Sequence, residues 1–295
     1  MHRVLIIAGL LVTVAFTACE ERGPAIDFST TTIKSVDTTY LASPEAPEPR
    51  HILVEEATGV QCPNCPAGTK ILQKADSTYP GRVVVVAIHA GKLTDPMANS
   101  KHLLFNNDLL PLYSFFGAEP NKPAAVFDRV PVNGSYFIDS RNMWPNLMEQ
   151  RLAKPSPVNL SLTSSYNDET GEDTISVRVA YTQDVQANQS IGIYITENGI
   201  IDPQIDGLNI IDDYEHNHVL RQNVTPLNGT SFLDTLAVKE KGRVYERTFI
   251  YKIPESAYTV EGKKWNLNNC KVVAFVFDNE SESKEVLQVA EISLK

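Results

Sequence analysis

The spacing of hydrophobic residues along the chain changes near residue 155. Before that point, strand-like runs alternate with a segment whose apolar residues recur at helical spacing. In chain order the segments are "HILVEEA" (51–57), "CPAGTKILQKADSTY" (65–79), "RVVVVAIHA" (82–90), "KPAAVFDRV" (122–130) and "DSRNMWPNLMEQRLAK" (139–154). The third is a continuous β-branched run, as in a strand covered on both faces. This alternation predicts a three-layer α/β domain over residues 50–154.

Residues 155–295 carry a different pattern, in which short runs alternate apolar and polar positions. The runs are separated by turn residues such as "NDETGED" and "NGT", and no helix is evident among them. They are "VNLSLTSSY", "TISVRVAY", "SIGIYITE", "NHVLRQNV", "RTFIYKI", "CKVVAFVFD" and "EVLQVAEISL". The pattern predicts an all-β domain over residues 155–295, an antiparallel sandwich of the Ig-like or jelly-roll kind.

The N-terminus begins with a 13-residue apolar run, Val4 to Phe16, which is too short for a spanning helix of about 20 residues. The following "FTAC" resembles a bacterial lipobox, which predicts a lipoprotein signal peptide over residues 1–18 and lipidation of Cys19. An ordinary cleaved signal with a chance cysteine is the alternative. Residues 19–49 are rich in Thr, Ser and Pro and predict a tether, although part of it could add an edge strand.

The charge balance excludes some partners. The formal net charge of −10 argues against nucleic acid and against electrostatic adhesion to anionic lipid. Lipid is therefore expected only as the anchor, and the sequence names no protein substrate or surface ligand. No phosphate loop, nucleotide fingerprint or Ser-His-Asp order stands out, so no cofactor is predicted.

Three cysteines remain once Cys19 is set aside. Cys270 lies in an apolar strand and is expected to be a small buried residue. Cys62 and Cys65 form a local CxxC pair between a predicted strand and a helix start, where the helix dipole would stabilise a thiolate. A structural zinc site needs two more soft ligands, which the sequence lacks. Redox chemistry and an inert disulfide staple are both left open.

A second candidate lies in "IIDDYEHNHVLR", where His216 and His218 would share one face of an extended strand. With the neighbouring carboxylates they are a weak candidate for a metal site. The favoured interpretation is a polar loop entering a strand, and no metal is predicted.

The residues "ILVEEATGVQCPNCP" (52–66), followed by a helix, "VVVVAIHA" and "KPAAVFD", resemble the thioredoxin fold. In that family a CxxC opens a helix, and a cis-proline before a later strand faces the dithiol. The resemblance implies that Cys62 attacks, Cys65 resolves and Pro123 is the cis-proline. It also implies that Glu56 is the buried acid that accepts a proton, while Glu55 points the opposite way. Pro-Asn replaces the usual Gly-Pro between the cysteines.

Nearly the whole mature chain also resembles the outer membrane protein 28-like lipoproteins of Gram-negative bacteria. The lipobox, the "EEATGVQCPNCP" block and the later "YITENGIIDPQ" and "HNHVLRQ" carry this resemblance. It implies a lipid-anchored outer-membrane or surface protein, facing the periplasm or the exterior. Two functions remain open: thiol–disulfide exchange through Cys62 and Cys65, or a non-enzymatic surface binding or adhesion protein in which that pair is a structural disulfide.

Overall fold

The computed structural model describes residues 34–254, 264–280 and 283–295. The predicted signal peptide, Cys19 and the first part of the predicted tether lie outside the described residues. The described residues group as one compact unit. Within the described ranges the chain is mostly β-sheet with few helices.

The secondary-structure elements are numbered in chain order. The strands are β1 (Lys34–Leu41), β2 (Ile52–Thr58), β3 (Val83–His89), β4 (Ala124–Phe127), β5 (Val158–Asn167), β6 (Glu172–Tyr181), β7 (Gln189–Glu197), β8 (Ile200–Asp206), β9 (Asn209–His216), β10 (Val219–Asn223), β11 (Thr230–Phe232), β12 (Arg243–Lys252), β13 (Cys270–Asp278) and β14 (Val286–Ser293). The α-helices are α1 (Cys65–Thr78), α2 (Leu110–Phe115) and α3 (Trp144–Leu152).

Three sheets organise these strands. The largest has eight strands in the order β14-β13-β7-β10-β3-β2-β4, with β11 also beside β7. In it β2 and β3 are parallel and are joined through α1, whereas β4 runs antiparallel to β2. The second sheet is antiparallel, in the order β1-β12-β6-β5, and β8 and β9 form a separate two-stranded sheet.

The eight-stranded sheet takes strands from both sides of residue 155. β10 pairs in parallel with β3 at Val219 and Ala87, and it pairs antiparallel with β7. The predicted boundary therefore falls between segments that share one continuous sheet. The "PSP" at 155–157 is a local turn signal, and a local signal carries no information about which distant strands pair across it.

The four-stranded sheet packs against the eight-stranded sheet as a sandwich. Ile175, Val177 and Phe249 of the smaller sheet lie in one buried apolar cluster with Ile193 and Val272 of the larger one. The alternation predicted for β6 is present, with Ile175, Val177 and Val179 all buried. The all-β part of the chain therefore follows from the period of two in its sequence.

Helices α1 and α3 cover one face of the larger sheet near β2, β3 and β4. Trp144 and Met148 from α3 share a buried cluster with Leu72 of α1 and Val85 of β3. This cluster fixes the start of α1 against β2, which is where the CxxC pair lies.

Within the predicted tether of residues 19–49, residues 34–41 form an edge strand, which is the alternative that the sequence left open. Strand β1 is the edge of the four-stranded sheet and pairs with β12 along its whole length. Beyond it, the side chain of Asn159 accepts a hydrogen bond from the backbone N–H of Glu48 at 2.9 Å and donates one to the carbonyl of Ala46 at 2.9 Å. Threonine-rich segments favour extended structure, and an available sheet edge supplies the partner that the sequence alone does not reveal.

Candidate functional site

The cysteine pair closes a tight turn between β2 and α1. The backbone N–H of Cys62 donates to the carbonyl of Gly59 at 3.0 Å, and that of Cys65 donates to the carbonyl of Cys62 at 3.2 Å. Cys62 and Cys65 are joined by a disulfide. Helix α1 begins at Cys65, so Pro66 falls in the first turn, where a missing N–H has no cost.

Both cysteines are buried. Cys62 has 0% and Cys65 1% of its surface exposed. A nucleophilic sulfur that exchanges with a protein partner has to be reached by that partner, and neither sulfur is reachable in this conformation.

The β8–β9 hairpin lies against the loop that contains the disulfide and is called its cover below. The backbone N–H of Ile205 donates to the carbonyl of Val60 at 2.8 Å, and that of Gly207 donates to the carbonyl of Pro63 at 2.9 Å. The side-chain amide of Gln204 donates to the carbonyl of Cys62 at 3.2 Å and to that of Gly59 at 3.3 Å. The hairpin therefore uses the outer edge of β8 to bind the loop that contains the disulfide.

The sequence pattern did not predict this hairpin. Its first strand contains Pro203, which normally argues against a strand, and a register shift between Asp202 and Gln204 accommodates the proline. The signal that could have revealed it is "DGLN" (206–209), where Gly207 has a φ of 61° at the turn between the strands.

A second segment also closes over the loop. The backbone N–H of Gln61 donates to the carbonyl of Leu93 at 3.0 Å, and Gly59 lies directly against the same residue. A Cβ atom on Gly59 would stand 2.3 Å from the Leu93 carbonyl oxygen and 2.9 Å from the Thr94 methyl group. The absence of a side chain at residue 59 is what allows the two segments to approach this closely.

Gly59→Ala is therefore expected to destabilise the protein by about 1–3 kcal/mol, since backbone atoms of Leu93 have to move away. Urea denaturation of the two proteins measures the difference. We also expect the disulfide to be reduced faster in the variant, because its cover is displaced. Equal stability of variant and parent would show that the 93–94 segment is not packed against the loop.

Glu56 lies beneath the start of α1. Its side chain is 2% exposed, and its Oε1 atom has no hydrogen-bond partner. A Cβ atom on Gly68 would stand 3.0 Å from that oxygen, which places the carboxyl group against the first two turns of the helix. Burial raises the pKa of Glu56 to about 8. A carboxyl group of this kind holds or releases a proton near neutral pH.

Glu55 points to the opposite face of the sheet, as the alternation of a strand requires. Its carboxylate accepts two hydrogen bonds from the guanidinium of Arg129, at 2.9 and 3.1 Å, and a third from the hydroxyl of Tyr194 at 2.7 Å. This buried cluster connects β2 with β7 and takes no part in the site around Cys62.

Pro123 stands immediately before β4 and is buried. The Lys122–Pro123 peptide bond is cis, as the thioredoxin resemblance implies. Strand β4 pairs with β2, and Ala124 lies opposite Ala57. The roles implied for Cys62, Cys65, Pro123 and Glu56 in exchange stay predictions.

The two histidines of the weak metal candidate have separate local roles. A ring nitrogen of His216 lies 3.2 Å from the carbonyl oxygen of Asp202, and burial lowers the pKa of His216 to about 4. The backbone N–H of His218 donates to the side chain of Asn198, and its carbonyl accepts from Ala87. Among residues 34–254, 264–280 and 283–295, no three His, Cys, Asp or Glu side chains are placed to hold a metal ion.

A cavity of about 270 Å³ lies beside Glu56. It is enclosed by α1, by the face of β2 and β3 that carries Glu56 and His89, and by Tyr214 and His216 of β9. The sequence pattern alone does not bring these residues together, because the contact depends on where the β8–β9 hairpin folds back. Over the described ranges, no helix is sufficiently long and apolar to span a bilayer.

Comparison with known proteins identifies the family. The family model described as outer membrane protein Omp28 matches residues 112–295, more than half of the chain. The chain belongs to the Omp28 family of outer membrane proteins, and this membership indicates an outer-membrane location. Among curated proteins, none matches the chain.

Two solved structures are similar to this fold. HBP35 of Porphyromonas gingivalis aligns with a TM-score of 0.59 and 16% identity, over 83% of this chain and 75% of that one. A protein from Agrobacterium tumefaciens aligns with a TM-score of 0.45 and 12% identity, over 85% of this chain and 97% of that one. At such identities the first likeness concerns the fold alone.

Proposed function

We propose that this chain is a non-enzymatic binding protein of the outer-membrane surface, in which the Cys62–Cys65 disulfide holds the loop between β2 and α1. The observation that carries the proposal is the burial of both cysteines beneath the β8–β9 hairpin. Backbone hydrogen bonds as well as side chains hold the hairpin over the loop. Exposing the disulfide therefore requires the hairpin to detach, and the rotation of one side chain is not enough.

The proposed anchor is a lipid on Cys19, followed by a short tether up to β1. The lipobox-like "FTAC" supports this, and so does membership of an outer-membrane family. A single acyl anchor gives marginal membrane binding, whereas several chains on one cysteine give a stable one.

Thiol–disulfide exchange is the second candidate function. It is favoured by the buried Glu56 carboxyl group, whose raised pKa suits a group that accepts a proton. In a thioredoxin-like domain, the Cys62 thiolate would attack a substrate disulfide and release one substrate thiolate. Cys65, after giving its proton to Glu56, would then attack Cys62 and release the second. The chain would be left oxidised, and a dithiol protein would have to reduce it again. Pro123 would shape the groove for the substrate strand. This cycle requires the hairpin to leave the disulfide.

Reduction of the disulfide in the folded protein separates the two candidates. The intact chain in detergent is treated with excess dithiothreitol, quenched by alkylation at intervals and analysed by intact mass. We expect reduction at least about 100-fold slower than in denaturant, because the sulfurs become accessible only when the cover opens.

Two glutamine variants test whether the hairpin slows reduction of the disulfide, one that weakens its contact with the loop and one that serves as the matched control. Gln204→Ala removes the hydrogen bonds to Gly59 and Cys62 and should speed reduction, whereas Gln222→Ala removes a bond only to its own neighbour Asn223 and should not. Rapid reduction of the parent protein, with a midpoint between about −120 and −270 mV, would instead establish exchange chemistry.

A further inference from the structure

The β8–β9 hairpin joins the rest of the fold at a narrow base. Asn198 and Gly199 precede β8, and Asn217 and His218 follow β9. The side chain of Asn217 accepts a hydrogen bond from the backbone N–H of Gly199 at 2.8 Å. In the same way, the side chain of Asn198 accepts one from the backbone N–H of His218 at 2.7 Å. These reciprocal bonds hold the two ends of the hairpin together, and the four residues are called the asparagine base below.

The asparagine base interrupts the strands on both sides of the hairpin. The φ angle is 66° at Gly199 and 58° at His218, whereas a strand requires a negative φ. Immediately outside the base, Glu197 of β7 pairs with Val219 of β10, and β7 also pairs with β13. The chain thus leaves the eight-stranded sheet and returns to it at neighbouring positions. The hairpin can therefore turn about this base while the sheet stays paired.

The hairpin contributes little to the apolar core. Ile200 at its start packs in a small buried cluster with Val60, Leu104 and Val219. Within the described ranges, the three larger buried clusters contain no residue from 201 to 216. Four apolar side chains of the hairpin are exposed instead, namely Ile201, Leu208, Ile210 and Ile211. Because its detachment uncovers comparatively little apolar surface, it should open at a lower free energy than the sandwich unfolds.

Hydrogen bonds hold the closed hairpin at two places. Near its base, the side chain of Asp202 accepts from the backbone N–H groups of Lys101 and His102, at 2.6 and 3.0 Å. Nearer its tip, the bonds from β8 and its turn end on the carbonyl groups of Gly59, Val60, Cys62 and Pro63. All four of these acceptors lie in the loop that the disulfide ties to the start of α1.

This arrangement couples the disulfide to the position of the hairpin. With the disulfide intact, the loop holds its carbonyl groups where the hairpin needs acceptors. Without it, the loop can change shape, and the hairpin loses a fixed set of partners. A disulfide that favours the closed hairpin is in turn favoured by closure, because the coupling between two such equilibria is reciprocal.

We propose that the β8–β9 hairpin is a redox-linked lid. It is closed while Cys62 and Cys65 are joined, and it turns away from the loop about the asparagine base when they are reduced. The reductant is a dithiol, which becomes a disulfide while its two electrons and two protons convert the Cys62–Cys65 bond into two thiols. Opening leaves the backbone N–H groups of Ile205 and Gly207 unpaired, so an extended segment of a partner can add to the outer edge of β8.

The lid goes beyond the proposed function, and its test is separate. The rate of disulfide reduction decides between a structural disulfide and exchange chemistry. Hydrogen exchange reports whether the hairpin opens, at whatever rate the disulfide is reduced. Rapid reduction would therefore overturn the proposed function and leave the lid standing, and a hairpin that stays closed without the disulfide would do the reverse.

Amide hydrogen exchange followed by mass spectrometry tests the lid in the intact chain in detergent. The oxidised parent is compared with Cys62→Ser/Cys65→Ser and with the parent held in dithiothreitol until its intact mass shows both thiols. We expect peptides within residues 200–216 to exchange at least about tenfold faster in both reduced forms, while peptides of β6, β7 and β13 keep the parental rate. Unchanged protection of the hairpin would overturn the proposal. An equal increase in the hairpin and in the sandwich strands would also overturn it, because the hairpin would then have no separate motion.

The asparagine base allows a second test that leaves the disulfide intact. Asn198→Ala/Asn217→Ala removes both bonds of the base and should speed exchange of the hairpin at least about threefold in the oxidised protein. Asn167→Ala is the matched control, because Asn167 accepts two backbone hydrogen bonds in the turn between β5 and β6 and should leave the hairpin unaffected. Thermal unfolding checks that each variant is folded. Unchanged exchange in a folded double variant would overturn the assignment of the base as the hinge.

Discussion

Arg129→Met is expected to lower the free energy of unfolding by about 3–5 kcal/mol, because it leaves the Glu55 carboxylate buried without a positive charge, with only the Tyr194 hydroxyl donating to it. The two side chains are 1% and 0% exposed, and two parallel hydrogen bonds join them. The guanidinium also lies 4.6 Å from the ring centre of Phe275 and 4.8 Å from that of Phe277. Methionine keeps the apolar contacts and loses the charge, so the variant measures the cost of a buried carboxylate that has lost its charged partner.

Urea denaturation at pH 7 measures this loss, with two comparisons. Arg178→Met removes an arginine that pairs with Glu45 at 2.6 Å near the surface, and it should cost less than about 1 kcal/mol. The triple variant Glu55→Leu/Arg129→Met/Tyr194→Phe should recover part of the loss, since it removes the ion pair together with the hydroxyl that binds both partners. A triple variant less stable than Arg129→Met would mean that the ion pair is not the source of the effect.

The arrangement of β2, α1 and β3 could be predicted from the sequence because each signal is local. The continuous apolar run of β3 and the helical spacing after Cys65 identify the elements. The alternation of a strand correctly sends Glu55 and Glu56 to opposite faces. Position in the strand alone therefore determines that Glu56, and not Glu55, lies beneath the CxxC turn.

The cover over the disulfide could not be predicted, because it depends on contacts between distant segments. Residues 205 and 207 bind a loop about 145 positions earlier in the chain, and no period within β8 encodes that partner.

The sheet shared across residue 155 could not be predicted for the same reason, since it too depends on contacts between distant segments. Asp128 binds Arg50 at 3.3 Å and Arg151 at 2.9 Å, and both arginines also bind Glu285 near the C-terminus. The domain boundary predicted near residue 155 rests on the local "PSP" signal, which contains no information about these long-range ion pairs.

The contribution of Glu56 to stability should fall as the pH rises from about 4.5 to about 8. Burial raises the pKa of this carboxyl group from 4.5 to about 8 in the folded protein. Between those values the folded state keeps a proton that the unfolded chain has lost, so its contribution is complete below pH 4.5 and declines as the pH rises. A shift of this size corresponds to up to about 5 kcal/mol.

Glu56→Gln tests this prediction because glutamine has nearly the same shape and does not ionise. Unfolding free energies from urea titrations at intervals between pH 4.5 and 8.5 are compared for the two proteins. The parent should lose stability relative to the variant across this range and run parallel to it above about pH 8. Thr58→Val changes the same cavity wall without a titratable group, so its offset from the parent should not vary with pH. Parallel curves for parent and Glu56→Gln would mean that Glu56 is solvated in the folded protein, and the cavity beside it would then be filled by water reaching the carboxylate.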